Sequence, residues 1–69
     1  MRLTVKQARL LAGYTQKQIA ELLGVHMLTY WKWEKNPGKM SISTAKKFSE
    51  IVGRKFDEII FDEEMEKGR

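Results

Sequence analysis

The side chains of this 69-residue chain that could do chemistry are mainly charged, thirteen Lys/Arg against nine Asp/Glu, with seven aromatic rings beside them. It has one histidine and no cysteine, no Gly-rich phosphate loop and no Gly-x-Ser-x-Gly elbow. Nucleophilic and thiolate-metal chemistry are therefore not expected. Paired acids such as Glu63-Glu64 stand in a charged C-terminal run, where solvation explains them. No catalytic residue, metal, cofactor or small-molecule ligand is expected. His26 has no partner at ligand spacing and reads as a helix cap or phosphate contact. The informative stretch is Gln16 to Lys35, QKQIAELLGVHMLTYWKWEK, in which Lys17 follows Gln16 and Lys32 follows Trp31.

Charge points the same way. Residues 1–55 hold eleven Lys/Arg against three Glu, a net +8, whereas residues 56–69 hold two against six Asp/Glu, a net −4. A basic body with an acidic end suits a polyanionic partner, although a merely solvated surface would show the same composition. Nothing approaches the roughly 20 apolar residues of a membrane span, and the first dozen residues do not form a signal peptide. A cytoplasmic protein without membrane contact is expected, and the absence of cysteine fits a reducing compartment. The length suits a single small domain near the lower limit for an unaided core, without a separate sensing or catalytic domain.

These residues need elements to position them. Thr4-Val5-Lys6-Gln7 and Thr15-Gln16-Lys17-Gln18 both have capping-box form. The first predicts a helix from Val5 to Ala12, stopped by Gly13, with Val5, Ala8 and Ala12 inward and Leu10 or Leu11 on its flank. The second opens a helix that buries Ile19, Ala20 and Leu23. Gly24-Val25 makes a tight turn, and a third helix runs from Met27 to Lys35 with His26 at its N-cap. Small Ala20 followed by Gly24 is the spacing two helices need to cross steeply through a short turn. That is the helix-turn-helix arrangement, whose second helix is commonly presented to the DNA major groove. Asn36-Pro37-Gly38 breaks the chain. A fourth helix follows from Ile42 to Val52, capped by Ser41 and burying Ile42, Ala45, Phe48, Ser49 and Val52. Gly53 stops it, and Phe56 to Phe61 reads as a short fifth helix. The fold class is all-α, with residues 1–61 as the domain and residues 62–69 as an acidic, frayed tail.

With about 100° between successive residues, Tyr30 and Trp33 share the inward side of the third helix. Met27, Leu28, Trp31, Lys32 and Lys35 form its outward face. An exposed Trp beside two lysines and two flexible apolar residues has the character of a contact face, although Trp31 could also pack on a neighbouring loop or a second subunit.

Over residues 3–61 the chain resembles the phage repressor and Cro type of helix-turn-helix protein, the XRE-like family. The residues carrying the likeness are Arg9, Gly13, Thr15-Gln16, Ile19-Ala20, Leu23-Gly24-Val25, Thr29, Trp33-Glu34, Asn36, and Gly53 with Phe56-Asp57-Glu58-Ile59. The resemblance implies a five-helix operator-binding domain that dimerises around its last helix. It implies that Gln16 holds a phosphate and braces the third helix, and that Met27, Leu28 and Lys32 read base edges. Asn36 and Lys39 would meet the phosphate backbone, and Arg9 and Glu34 would pair between the first and third helices. With the outward face, the expected DNA-binding set is Gln16, Lys17, His26, Met27, Leu28, Thr29, Trp31, Lys32, Lys35, Asn36 and Lys39. Phe56, Ile60 and Phe61 are the expected dimer contact, in a homodimer that is weak without DNA because a small contact offsets little association entropy.

The chain departs from the family pattern in places. His26 stands where Ser or Thr usually caps the third helix, Met40 where proline is common, and Lys55 where Ser commonly caps the last helix. Met27 and Leu28 replace polar readers, so readout leans on thymine methyls and Lys32. The implied function is a small Cro-like phage, prophage or plasmid repressor that binds double-stranded DNA at a pseudo-palindromic operator. The rival reading is an antitoxin-like regulator that binds a partner protein, because Phe56 to Phe61 carries more apolar surface than a small core needs.

Overall fold

A computed structural model describes residues 2–61 of the chain. The chain begins with a two-residue strand, β1 (Leu3–Thr4), and continues through α1 (Val5–Ala12), α2 (Gln16–Leu23) and α3 (Met27–Lys35). A 3₁₀ turn at Pro37–Lys39 leads to α4 (Ile42–Val52). A second 3₁₀ turn at Phe56–Glu58 runs into β2 (Ile59–Ile60).

Both capping boxes are formed. Thr4 Oγ1 accepts the Gln7 N–H at 3.0 Å, while Gln7 Oε1 accepts the Thr4 N–H at 2.9 Å. Thr15 and Gln18 repeat the exchange at 3.1 and 2.9 Å. Each box satisfies two donors that the start of a helix would otherwise leave unpaired. Ser41 caps α4 by accepting from the Thr44 N–H at 3.2 Å.

The turn between α2 and α3 is where backbone conformation decides the geometry. Gly24 lies at φ 74°, in the left-handed region. Its N–H donates to Glu21 O at 3.1 Å, and the Val25 N–H donates to Ala20 O at 3.0 Å. These two bonds make a Schellman closure, which ends α2 and lets α3 start two residues later. Ala20 is buried beside this turn, so no bulky side chain holds the helices apart.

The core draws on every α-helix. Val5 and Ala8 come from α1; Ile19, Ala20 and Leu23 from α2; Tyr30 from α3; and Ala45, Phe48 and Val52 from α4. Met40 and Ile59 complete it, with Trp33 half-buried against its edge. Tyr30 and Phe48 stack at 6.3 Å between ring centroids. Buried Ser49 satisfies its hydroxyl by donating within α4 to Lys46 O (2.8 Å) and Ala45 O (3.2 Å).

Three expectations are corrected. The fifth helix is absent: Phe56–Glu58 forms a single 3₁₀ turn, and Ile59–Ile60 is extended and pairs in parallel with Leu3–Thr4. The β-branched isoleucines suit an extended backbone. Arg2 also straps the segment down, donating from Nε to Asp57 O (3.2 Å) and from Nη2 to Ile59 O (3.4 Å). Ala12 is exposed, because the buried stripe of α1 is Val5, Ala8 and Arg9 and the chain turns away at Gly13. Ile42 is also exposed, at the first position of α4 before the helix meets the core. The acidic tail, residues 62–69, lies outside the described residues.

Candidate nucleic-acid interface

Tyr30 and Glu34 set the rotation of α3. They lie one turn apart on the inward face, and the Tyr30 hydroxyl donates to Glu34 Oε2 at 2.6 Å. Arg9 of α1 meets the same carboxylate, with Nε at 2.5 Å from Oε2 and Nη2 at 3.4 Å from Oε1. Gln16, the first residue of α2, donates from Nε2 to Oε1 at 3.0 Å. Arg9 Nη1 also donates to Tyr14 O at 3.0 Å. One carboxylate thus ties α1, α2 and α3 together, in a pair whose side chains are only 8% and 6% exposed.

Burial pushes the Glu34 carboxyl up, but hydrogen bonds from Arg9, Tyr30 and Gln16, with the guanidinium charge, outweigh it. The carboxyl is held below its ordinary value and stays ionised. Burial and the Glu34 carboxylate both push the Tyr30 phenol up, so it remains a donor.

With this face locked inward, the opposite face of α3 is presented to solvent. Met27, Leu28 and Trp31 are 47%, 53% and 40% exposed. Thr29, Lys32 and Lys35 are exposed with them. His26 caps the helix, with Nδ1 accepting the Leu28 N–H at 3.1 Å. Lys35 places its ammonium 4.8 Å from the centre of the Trp31 ring, a cation–π contact that holds the indole.

Trp31 stands where three shallow hollows meet. One of about 410 Å³ lies between Gln16, His26, Met27, Leu28 and Trp31. A second, of about 350 Å³, runs along Thr29, Lys32, Lys35, Asn36 and Lys39. The third, of about 360 Å³, is bounded by Lys6, Arg9, Gln16, Glu34 and Lys35. Buried Pro37 anchors the loop after α3 and leaves Lys39 exposed at its end.

The structure therefore gathers Gln16, His26, Met27, Leu28, Thr29, Trp31, Lys32, Lys35, Asn36 and Lys39 around one surface, with Lys17 exposed beside Gln16 on α2. The sequence reading missed Lys6. It lies three residues before Arg9 on α1, and that helical spacing would have placed it at this surface.

Phe56 and Phe61 line a different hollow, which they share with Pro37 and Gly38 of the loop after α3. Phe56 stacks on Phe61 at 5.0 Å, and Phe61 meets Phe48 edge-on at 6.2 Å. Phe56 stays partly exposed, while Ile60 and Phe61 are half-buried. Among the described residues, no group of three or more His, Cys, Asp or Glu could hold a metal ion. No helix among them is long and apolar enough to cross a membrane.

This is a helix-turn-helix fold that presents a basic, aromatic second helix. Residues 5–59 match the family model described as Helix-turn-helix, and the chain belongs to that XRE-type, Cro-like family of DNA-binding domains. It is accordingly a DNA-binding transcription regulator of the XRE type. Comparison with curated proteins gave no match, and neither did comparison with solved structures.

Proposed function

We propose that the chain is a sequence-specific, Cro-like repressor that binds a pseudo-palindromic operator as a dimer. The observation carrying this reading is the outward face of α3: three large exposed apolar side chains among lysines, on a helix whose other face is locked to α1 and α2. In this reading the N-terminal half of α3 enters the major groove, with Met27, Leu28 and Lys32 at base edges. Gln16, Lys17, His26, Asn36 and Lys39 meet phosphates, which position the helix without reading sequence. Thr29, Trp31 and Lys35 complete the contact surface.

Dimerisation follows from information content. One short helix covers few base pairs, and two copies related by two-fold symmetry double the contacts. Half-site centres would then stand about 34 Å apart. Phe56, Ile60 and Phe61 are the proposed contact, supported by the partly exposed Phe56–Phe61 stack.

Selection of bound duplexes from a random pool, followed by titration across a salt series, tests the proposal. The expected result is an inverted-repeat site, two chains per duplex at saturation, and affinity that falls log-linearly with salt. One chain per selected duplex would remove the dimer. Salt-independent binding, or none, would contradict the DNA reading and favour a protein partner.

A further inference from the structure

The hollow bounded by Gln16, His26, Met27, Leu28 and Trp31 differs in character from its two neighbours: its lining is almost entirely carbon. Met27 and Leu28 have no donor or useful acceptor to offer a base edge, and Trp31 has a single indole N–H. None of the three can make the bidentate hydrogen bonds that distinguish guanine or adenine in the major groove. Yet they stand on the exposed face of α3 within its first five residues, the end that enters the groove in the proposed reading.

We propose that this hollow receives the C5 methyl group of thymine, so that the operator is read there by apolar fit. The proposal rests on the reading of α3 as the helix that docks on duplex DNA. Thymine C5 methyl is the apolar feature that a natural base pair displays in the major groove, and it matches an apolar hollow of this kind. The rim supports duplex DNA as the occupant. Lys32, Lys35 and Lys39 line the adjoining hollow, and the one acid of α3, Glu34, is turned inward and paired with Arg9. An apolar floor beside a cationic edge complements a groove floor of methyl groups between phosphate walls. Lys35 stands over the Trp31 ring at 4.8 Å, which brings a cation to the edge of the hollow.

The test uses duplexes selected from a random pool by the full chain, resynthesised with deoxyuridine in place of each thymidine in turn. Uracil keeps every hydrogen-bonding group of thymine and lacks only the methyl. At one or two positions in each half-site, affinity should fall about 3- to 4-fold, the effect of one buried methyl-sized group. At the same positions a 5-methylcytosine·guanine pair should bind more tightly than cytosine·guanine. In Trp31→Ala, and in Met27→Ser as a second variant, the thymine–uracil difference should shrink toward none. In Lys39→Ala both duplexes should weaken together and keep their ratio. Equal binding of every uracil duplex would overturn the proposal while leaving DNA binding intact. So would a methyl effect unchanged in both hollow variants. Absence of any salt-dependent duplex binding would overturn the DNA reading and this proposal with it.

Discussion

The two faces of α3 mix charged and apolar residues in different ways: Tyr30 and Trp33 share the inward side with an ion, while Lys32 and Lys35 share the outward side with large apolar side chains. Its inward face carries an ionised carboxylate, Glu34, which receives hydrogen bonds from Arg9, Gln16 and Tyr30. Its outward face carries Met27, Leu28 and Trp31. A helix folded only for stability would leave Glu34 in water and cover more of Met27, Leu28 and Trp31. The polar network around Glu34 fixes the rotation of α3 and leaves Met27, Leu28 and Trp31 facing outward.

The largest effect should come from breaking the inward face. Glu34→Ala leaves Arg9 buried without its counter-charge and should destabilise the fold by about 3 kcal/mol or more. Chemical denaturation measures it directly, and a wild-type midpoint would mean that the network does not hold α3. Acid should reproduce part of this loss. The Glu34 carboxyl is held below its ordinary value of 4.5, so its stabilisation is complete above that pH and lost as pH falls through the folded-state value. Thermal melts should therefore show wild type and Glu34→Gln converging as pH drops below about 4.5. A gap of constant size would contradict the assignment.

Tyr30→Phe is a milder break. It removes one donor to the carboxylate and leaves the ring packed on Phe48, so a loss of about 1–2 kcal/mol is expected. Trp31→Ala should show the opposite pattern, with stability within about 0.5 kcal/mol of wild type and clearly weaker duplex binding. A large stability loss there would mean that the outward face serves the fold. The smallest effect belongs to Lys39→Ala, which should reduce the slope of log affinity against log salt by about one and leave melting unchanged.

How legible each region was in the sequence follows from how local its causes are. Both Thr-x-x-Gln boxes, Gly24 and the outward face of α3 depend on residues within a few positions of one another, and pattern reading captured them. The Arg9–Glu34 pair spans 25 positions. It came from the resemblance, since no periodicity links α1 to α3. The brace from Gln16 came from the same resemblance, and Tyr30 lies one turn from Glu34 on α3 itself; that all three donors converge on one carboxylate shows only once the helices are packed. Phe56 to Phe61 was misread because a short apolar run fits a buried helix or a buried strand equally well. Its conformation follows from pairing with Leu3–Thr4 and from Arg2, more than fifty positions away. Lys6 joins that surface from α1, and its place there depends on how α1 packs against α2 and α3, which no local pattern records.

The central claim is that the outward face of α3 is the surface that meets DNA. Titration of isotopically labelled protein with a selected duplex, followed by amide and indole N–H chemical shifts, tests it most directly. The largest shifts should fall on Met27, Leu28, Trp31 with its indole N–H, Lys32 and the loop to Lys39, while the core around Phe48 and Val52 barely moves. Shifts confined to Phe56–Phe61, with α3 unperturbed, would contradict it.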